Sequence, residues 1–423
     1  MHLPSPCCLE LILLCSFSMK TAVVLGGTFP HRELLVKLKE RGYYTVLVDY
    51  YDSPIAKDVA DKHIKESTLD RAKVLQITKQ EKADLVISSC IDQANVTACY
   101  VSERLGLPCP YSYETALNVT DKKRMKEIML RNGIPTAKYY SINNVDEFIP
   151  EALNYPIIIK PADSNSSKGV RRIDAYDQNT LDFISLALSI SRNNSAIIEE
   201  FKIGKEIGVD CIIKDHKAYV VMTRERRKIQ SNNDALQQIY GSFWPANLCQ
   251  HQIKVLQDVA ERIAVSFELN NTPLMMQTIV SDTGIDVIEF GARIGGGENY
   301  RIIKELVGYD FIDQSIRSFL HEDISIDFYA PTAKIADNYI YMNPGIFGRM
   351  EIANSVEEEF LYYNIYKNKG ADVGKDISSN NRVGVFVVKS NEYSSLLCKI
   401  KKVVNNMQVY DIDNHPVMRK DIY

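Results

Sequence analysis

The chain has 423 residues, 45% of them hydrophobic and 25% charged, with a formal net charge of −4. That balance describes a globular protein of roughly two or three domains, and it holds no basic excess of the kind that binds nucleic acid or an anionic membrane surface. The nine cysteines form no Cys-x-x-Cys pair and no Cys/His cluster, so neither a zinc site nor a disulfide framework is indicated, and a cytoplasmic, reducing compartment is expected.

Residues 1–18 differ from the rest. Cys7 to Cys15 is apolar but too short to cross a bilayer, and no Lys or Arg precedes Lys20 as a signal peptide would require. The expectation is an extension or mis-assigned start, with Met19 as the true beginning; a targeting or lipidated leader is the other reading. Thr21 to Gly26 then reads as a strand, Gly26-Gly27 leads through Pro30 into a helix with Leu34, Leu35 and Leu38 on one side, and Tyr44 to Asp49 is the next strand. This is the opening of an open α/β sheet. The G-x-G-x-x-G order of a dinucleotide fold is absent, which argues against NAD. A third strand, Ala83 to Ser88, ends at Ser88-Ser89-Cys90-Ile91-Asp92, where a parallel sheet places ligand contacts; Asp92 there either touches substrate or caps the following helix.

After Pro108-Cys109-Pro110, Thr120 is placed to cap a helix that carries Met125, Ile128 and Met129 at helical spacing. Lys122 and Lys123 fall in its first turn, where cations oppose the helix dipole, and that misplacement points to a bound anion. Pro156 to Pro161 is a buried strand with Lys160 near its end. Asp163-Ser164-Asn165-Ser166-Ser167-Lys168-Gly169 follows, a run of small polar residues that can turn N–H groups and hydroxyls toward phosphate oxygens, or can serve as a plain hairpin connection. It is not a Walker A loop. Ala196 to Lys202 runs as a strand into Ile203-Gly204-Lys205-Glu206, and Ile207 to Ile213 is another strand.

Leu274 to Ser281 and Ile285 to Phe290 are apolar strands joined through Asp282-Thr283-Gly284, read as a three-residue hairpin loop with glycine in its left-handed position. Ser281 then faces Ile285, and Gln277 falls opposite Glu289. The second strand is apolar on both faces, so the Glu289 carboxylate requires a cation or donors. With Gln277 it can seat a hard divalent cation such as Mg2+, or the two can form a buried polar pair that satisfies itself. Arg293 comes four residues later, followed by Gly295-Gly296-Gly297.

In order and spacing, Asp121-Lys122, Lys160-Pro161, the Lys168-Gly169 loop, Glu199-Glu200-Phe201-Lys202 with Glu206, and Glu289 to Gly297 resemble the ATP-grasp superfamily. The resemblance covers residues 20 to 420 or so and looks most like the carboxylate–amine ligase branch that includes D-alanine–D-alanine ligase, biotin carboxylase and the L-amino acid ligases. It implies an α/β, ATP-grasp architecture: an N-terminal Rossmann-like open sheet over residues 19–117, an ATP-grasp domain over 118–330 whose lid covers about 156–215, and a small C-terminal α+β lobe over 331–423. It implies ATP and Mg2+ as cofactors, with Mn2+ as a substitute, and small-molecule carboxylate and amine substrates of amino-acid type. No nucleic acid or membrane partner is implied, and a homodimer is one assembly open to it.

By the same resemblance Lys122 and Lys160 contact ATP phosphates, and Ser167, Lys168 and Gly169 belong to a lid loop over the triphosphate. Glu199, Glu200, Phe201 and Lys202 lie along the adenine edge, Glu206 accepts from the ribose hydroxyls, and Gln277 and Glu289 hold the metal. Arg293 stands beside the reacting carboxylate, with Lys160 and Arg301 completing the catalytic set. Two departures stand out: Gln277 replaces a second acidic ligand, and Gly291 replaces an asparagine. They keep a non-catalytic ATP-binding regulator open as the alternative. The run Thr223-Arg224-Glu225-Arg226-Arg227-Lys228 is either a solvated face or a substrate-facing loop, and residues 331–423 are expected to serve packing or dimerisation.

Overall fold

The computed structural model describes residues 19–164, 168–229, 238–374 and 381–423. The expected extension at residues 1–18 and the candidate Ser167 lie outside the described residues. The chain begins with β1 (Lys20–Leu25), α1 (Phe29–Glu40), β2 (Tyr43–Asp49), β3 (Lys62–Lys65), α2 (Arg71–Gln80), β4 (Leu85–Ile87) and α3 (Asp92–Leu105). The four strands form one parallel sheet in the order β3-β2-β1-β4. Ala22 to Leu25, Val46 to Val48, Leu85 to Ile87 and Leu34, Leu35 and Leu38 of α1 are all buried, as the sequence pattern requires. The chain reverses direction across the sheet between β1 and β4, so the crevice past their C-terminal ends, between Gly26-Gly27 and Ser88 to Asp92, is where such a sheet takes a ligand. Ala83–Ser88 is therefore the fourth strand. The third, Lys-His-Ile-Lys at the sheet edge, is half exposed and has no hydrophobic alternation to reveal it.

Two helices, α4 (Tyr113–Asn118) and α5 (Lys122–Arg131), follow. Asp121, one residue beyond the expected Thr120, caps α5 by accepting from the Lys123 and Arg124 N–H groups at 3.0 and 3.1 Å. Next come β5 (Tyr139–Ile142), β6 (Ile157–Pro161), β7 (Arg171–Ile173), α6 (Gln178–Ile190) and β8 (Ala196–Glu200). Their strands make a separate antiparallel sheet in the order β5-β8-β6-β7, closed by Ile142, Ile157, Ile159, Ile184, Leu188 and Ile198.

The remaining elements are β9 (Lys205–Lys214), β10 (Lys217–Lys228), β11 (Ile239–Trp244), α7 (Gln250–Ser266), β12 (Thr272–Ser281), β13 (Gly284–Gly291), α8 (Asn299–Val307), α9 (Phe311–Phe319), β14 (Lys334–Tyr341), β15 (Gly345–Ile352), β16 (Phe360–Ile365), β17 (Asp372–Val373), β18 (Arg382–Ser390), α10 (Tyr393–Asn405) and β19 (Met407–Asp411). Eight strands form an antiparallel sheet in the order β13-β12-β9-β10-β11-β14-β18-β16. Strand alternation serves two cores: Cys211 and Ile213 pack toward α7, while Ile212 packs toward α8, α9 and the first sheet. β9 lies in this large sheet, not in the lid where the sequence reading ended it. The C-terminal strands likewise do not stand apart, since β14, β18 and β16 continue the same sheet and β15, β17 and β19 form a small one beside it.

The β12–β13 hairpin differs from expectation in an instructive way. Ser281 pairs with Gly284, so the turn is Asp282-Thr283, one residue shorter than anticipated. A bulge then adds Ile288 to β13, and the two changes cancel to leave Gln277 opposite Glu289. The bulge also explains why Val287 and Phe290, an odd spacing apart, both enter the core while Ile288 and Glu289 are half-buried along a cleft. The strand is thus apolar on one face only.

Candidate active site

Between the antiparallel β5-β8-β6-β7 sheet and the eight-stranded sheet lies a cleft open to solvent, with an enclosed volume of about 120 Å³. Lys122, Lys160, Glu199 to Lys202, Glu206, Arg226, Lys228, Gln277 and Glu289 line it, together with the apolar surfaces of Ile158, Ile279 and Ile288. Its mixture of apolar wall and convergent charge suits a small charged ligand.

Lys160, at the end of β6, is only 4% exposed, and Lys126 on α5 is 1% exposed. Both ammonium groups clamp Glu199 of β8, with Lys160 Nζ 2.5 Å from Oε1 and Lys126 Nζ 2.7 Å from Oε2; Lys126 also donates to Thr136 Oγ1 at 2.8 Å. Burial pushes the Glu199 carboxyl up, but the two lysines overcome it and hold the group down at about 2. Two cations on one carboxylate leave a buried positive excess at the floor of the cleft. Glu199 thus positions Lys160, a job the sequence reading did not give it. Lys126 was missed altogether, although its place one helical turn after Lys122 could have signalled it.

Lys122 Nζ donates to the Ser164 carbonyl at 2.6 Å and sits 3.2 Å from Glu289 Oε2. Burial raises the Glu289 carboxyl, and Lys122 and Lys160 reverse the shift to below the ordinary value. Glu206 on β9 is nearly buried between Arg226 Nη1 at 2.7 Å and Lys228 Nζ at 2.9 Å, and the same balance of burial against cations lowers it. The charge run is the end of β10, a strand and not a loop, and Arg226 and Lys228 face the cleft, as the substrate-facing reading expects. Arg227 points the other way, onto the rings of Tyr240 and Phe243. Lys168 is exposed on the lid loop and Gly169 is buried with φ +75°; neither borders the cleft, whereas Ser164 and Val170 do.

Beyond Glu289, the Arg293 guanidinium forks onto Asp92, the first residue of α3, Nε to Oδ1 at 2.8 Å and Nη2 to Oδ2 at 2.7 Å. Asp92 is therefore not the cap of α3, a position Ile91 holds. Nearby, Arg224 is ion-paired to the buried Asp210 of β9, and burial keeps the Asp210 carboxyl above its ordinary value despite that partner. Arg301 does not join this group. The apolar stripe of α8, Ile302, Ile303 and Leu306, faces the core and turns Arg301 outward, where its guanidinium lies 3.5 Å over the Tyr362 ring.

Residues 153–300 match the ATP-grasp domain family. The chain is 25% identical over 254 residues to a formate-dependent phosphoribosylglycinamide formyltransferase of Ignicoccus hospitalis, covering 58% of this chain and 62% of that one. It is 26% identical over 278 residues to an L-arginine-specific L-amino acid ligase of Bacillus subtilis, covering 64% of each. The matches thus span somewhat under two thirds of these relatives. The fold superposes on the crystal structure of an L-amino acid ligase from Bacillus licheniformis with a TM-score of 0.78 at 17% identity, covering 93% of this chain and 98% of the other. For the biotin carboxylase domain of Hydrogenobacter thermophilus 2-oxoglutarate carboxylase, in complex with MgADP, ADP and bicarbonate, the TM-score is 0.75 at 15% identity, with 95% and 92% covered. Residues 153–300 thus match an ATP-grasp domain, and the fold over most of the chain is the one these two structures share. Among the described residues no helix is long and apolar enough to cross a membrane.

Proposed function

We propose that this chain is an ATP-grasp enzyme, an ATP-dependent carboxylate–amine ligase that forms an amide or peptide bond through an acyl phosphate and releases ADP and phosphate. The observation that carries the reading is the convergence on one cleft of buried lysines, a carboxylate–amide oxygen pair and, just past it, an arginine held from the start of α3. In this reading Lys122 and Lys160 hold phosphate oxygens, and Glu206 turns from Arg226 and Lys228 to share its oxygens with the ribose hydroxyls. The Glu200 and Phe201 N–H groups are engaged by the Lys138 and Pro156 carbonyls at 2.9 and 2.8 Å, which leaves Lys202 as the donor at the adenine edge.

Glu289 and Gln277 offer the hard oxygen donors that Mg2+ or Mn2+ prefers, one charged and one neutral, and both line the cleft near Lys122. A bound ion there would neutralise phosphate charge. Arg293 brings a guanidinium to the attacking carboxylate, whose oxygen bonds to the terminal phosphorus as ADP leaves. The amine nitrogen then bonds to the acyl carbon, phosphate departs, and the extra proton passes to water. Ser164 and Val170 border the cleft, and in this reading the segment between them acts as a lid that excludes water from the acyl phosphate.

The test is ADP and phosphate release from protein given Mg2+-ATP with pooled amino acids and small carboxylic acids, with Glu289→Ala as control. Release that depends on the pool and vanishes in the control supports the ligase. Nucleotide binding with no release from any pool favours the regulator, the reading that the neutral Gln277 and bare Gly291 support.

A further inference from the structure

We propose that Asp92, brought by the start of α3, fills the space left by the missing side chain at Gly291 and is the positioning residue that aims Arg293. Its catalytic consequence rests on the ligase reading; the coupling between the two residues does not.

Three facts converge. First, the Arg293 guanidinium is fixed in plane by a fork–fork pair with Asp92, and its Nη1 donates to the Ile294 carbonyl at 2.9 Å. A guanidinium carries five N–H groups, so these contacts leave one on Nη1 and one on Nη2 for an incoming anion. Second, Gly291 has no left-handed backbone to require glycine, yet a Cβ there would stand 2.6 Å from Asp92 Oδ1 and 3.2 Å from Arg293 Nε. What excludes a side chain at 291 is the Asp92 carboxylate itself. Third, Asp92 opens α3 without capping it, and its two oxygens reach Arg293 across 201 residues of sequence. Where the ATP-grasp pattern takes a polar side chain from the same strand as Glu289, this chain supplies a carboxylate from the start of α3, beside the β1–β4 crevice. The orientation of Arg293 therefore depends on how the first sheet and α3 dock.

The residues should then behave as one unit. Gly291→Ala, Asp92→Gly, the double variant Gly291→Ala/Asp92→Gly and the exchange Gly291→Asn/Asp92→Gly are compared by thermal midpoint, MgADP affinity by calorimetry, and kcat and KM with whichever substrates the pooled assay yields. Gly291→Ala alone should lower the midpoint, and the double variant should recover most of that loss because the overlap is gone. MgADP affinity should stay within about twofold throughout, while each single variant loses about tenfold or more in kcat and the exchange regains part of it. A harmless Gly291→Ala, or a double variant no better than the worse single one, overturns the proposal. If no substrate pool gives turnover, the ligase reading fails while the midpoints still decide the coupling.

Discussion

Glu199 sets the sharpest energetic test. Glu199→Gln would leave Lys126 and Lys160, 1% and 4% exposed, facing each other with no anion between them. Breaking a buried pair in this way costs about 3–5 kcal/mol. The carboxyl points the same way: against burial, the two lysines hold it at about 2, below its ordinary value, so its ionisation favours the folded chain, while burial lowers Lys126 in the same cluster and offsets part of that gain. Because the folded value is depressed, that stability is fully present above the unfolded value and is lost as pH falls toward about 2. Lys126→Met is the counterpart. It leaves the neutral Lys160–Glu199 pair in place and removes one charged hydrogen bond and one to Thr136, a loss of about 1–3 kcal/mol. Urea titrations at neutral pH, with unchanged slope, should therefore place the midpoint of Glu199→Gln clearly below that of Lys126→Met. Equal midpoints, or a less stable Lys126→Met, would refute the charge count at the floor of the cleft.

Other outcomes follow from the same geometry. Lys160→Ala and Glu289→Ala should each lower turnover by about 100-fold or more while circular dichroism stays native, since both act on phosphate charge; folded variants with parental rates would remove them from the mechanism. Glu206→Gln should weaken MgADP by about tenfold but leave 2′,3′-dideoxy-ADP almost unaffected, because only the ribose hydroxyls would lose an acceptor; equal losses for both nucleotides would refute the ribose assignment. His31, fully buried in α1, accepts the Thr28 N–H at Nδ1 and lies 3.3 Å from Ser88 Oγ through Nε2, and burial lowers it to about 3. The unfolded chain takes up the proton first, so stability is full above 6.5 and should fall by about 2 kcal/mol by pH 5. His31→Asn should flatten that decline, and an unchanged slope between pH 6.5 and 5 would show that His31 does not cause it.

How much of this was legible in the sequence depends on the range of the signal. Local periodicity located β1, α1, β2 and α5; in α5 Met125 and Met129 are buried as expected, while Ile128 is only half-buried. The facing of Gln277 and Glu289 was also legible, though by way of a turn and a bulge that offset one another. β3 escaped because a short edge strand of alternating charge has no buried face to declare. The sequence left the charge run open between a solvated and a substrate-facing role because its partners lie outside the run, Asp210 for Arg224, Glu206 for Arg226 and Lys228, and aromatic rings for Arg227. The Asp92–Arg293 fork was beyond reach for the same reason, since no spacing rule joins the start of α3 to a residue 201 positions later, just past β13. Arg301 was misplaced because helical phase, set by the buried stripe of α8, outweighs nearness in sequence to Arg293.

The central claim is an acyl phosphate, and isotope transfer tests it most directly. Once a carboxylic acid substrate is identified from the pool, it is supplied with both carboxylate oxygens as 18O, together with Mg2+-ATP and the amine. The inorganic phosphate released is then analysed by mass. The expected result is one 18O in each phosphate formed, because the oxygen that attacked phosphorus departs with it when the amine displaces the acyl phosphate. Amide formation with unlabelled phosphate would contradict the mechanism.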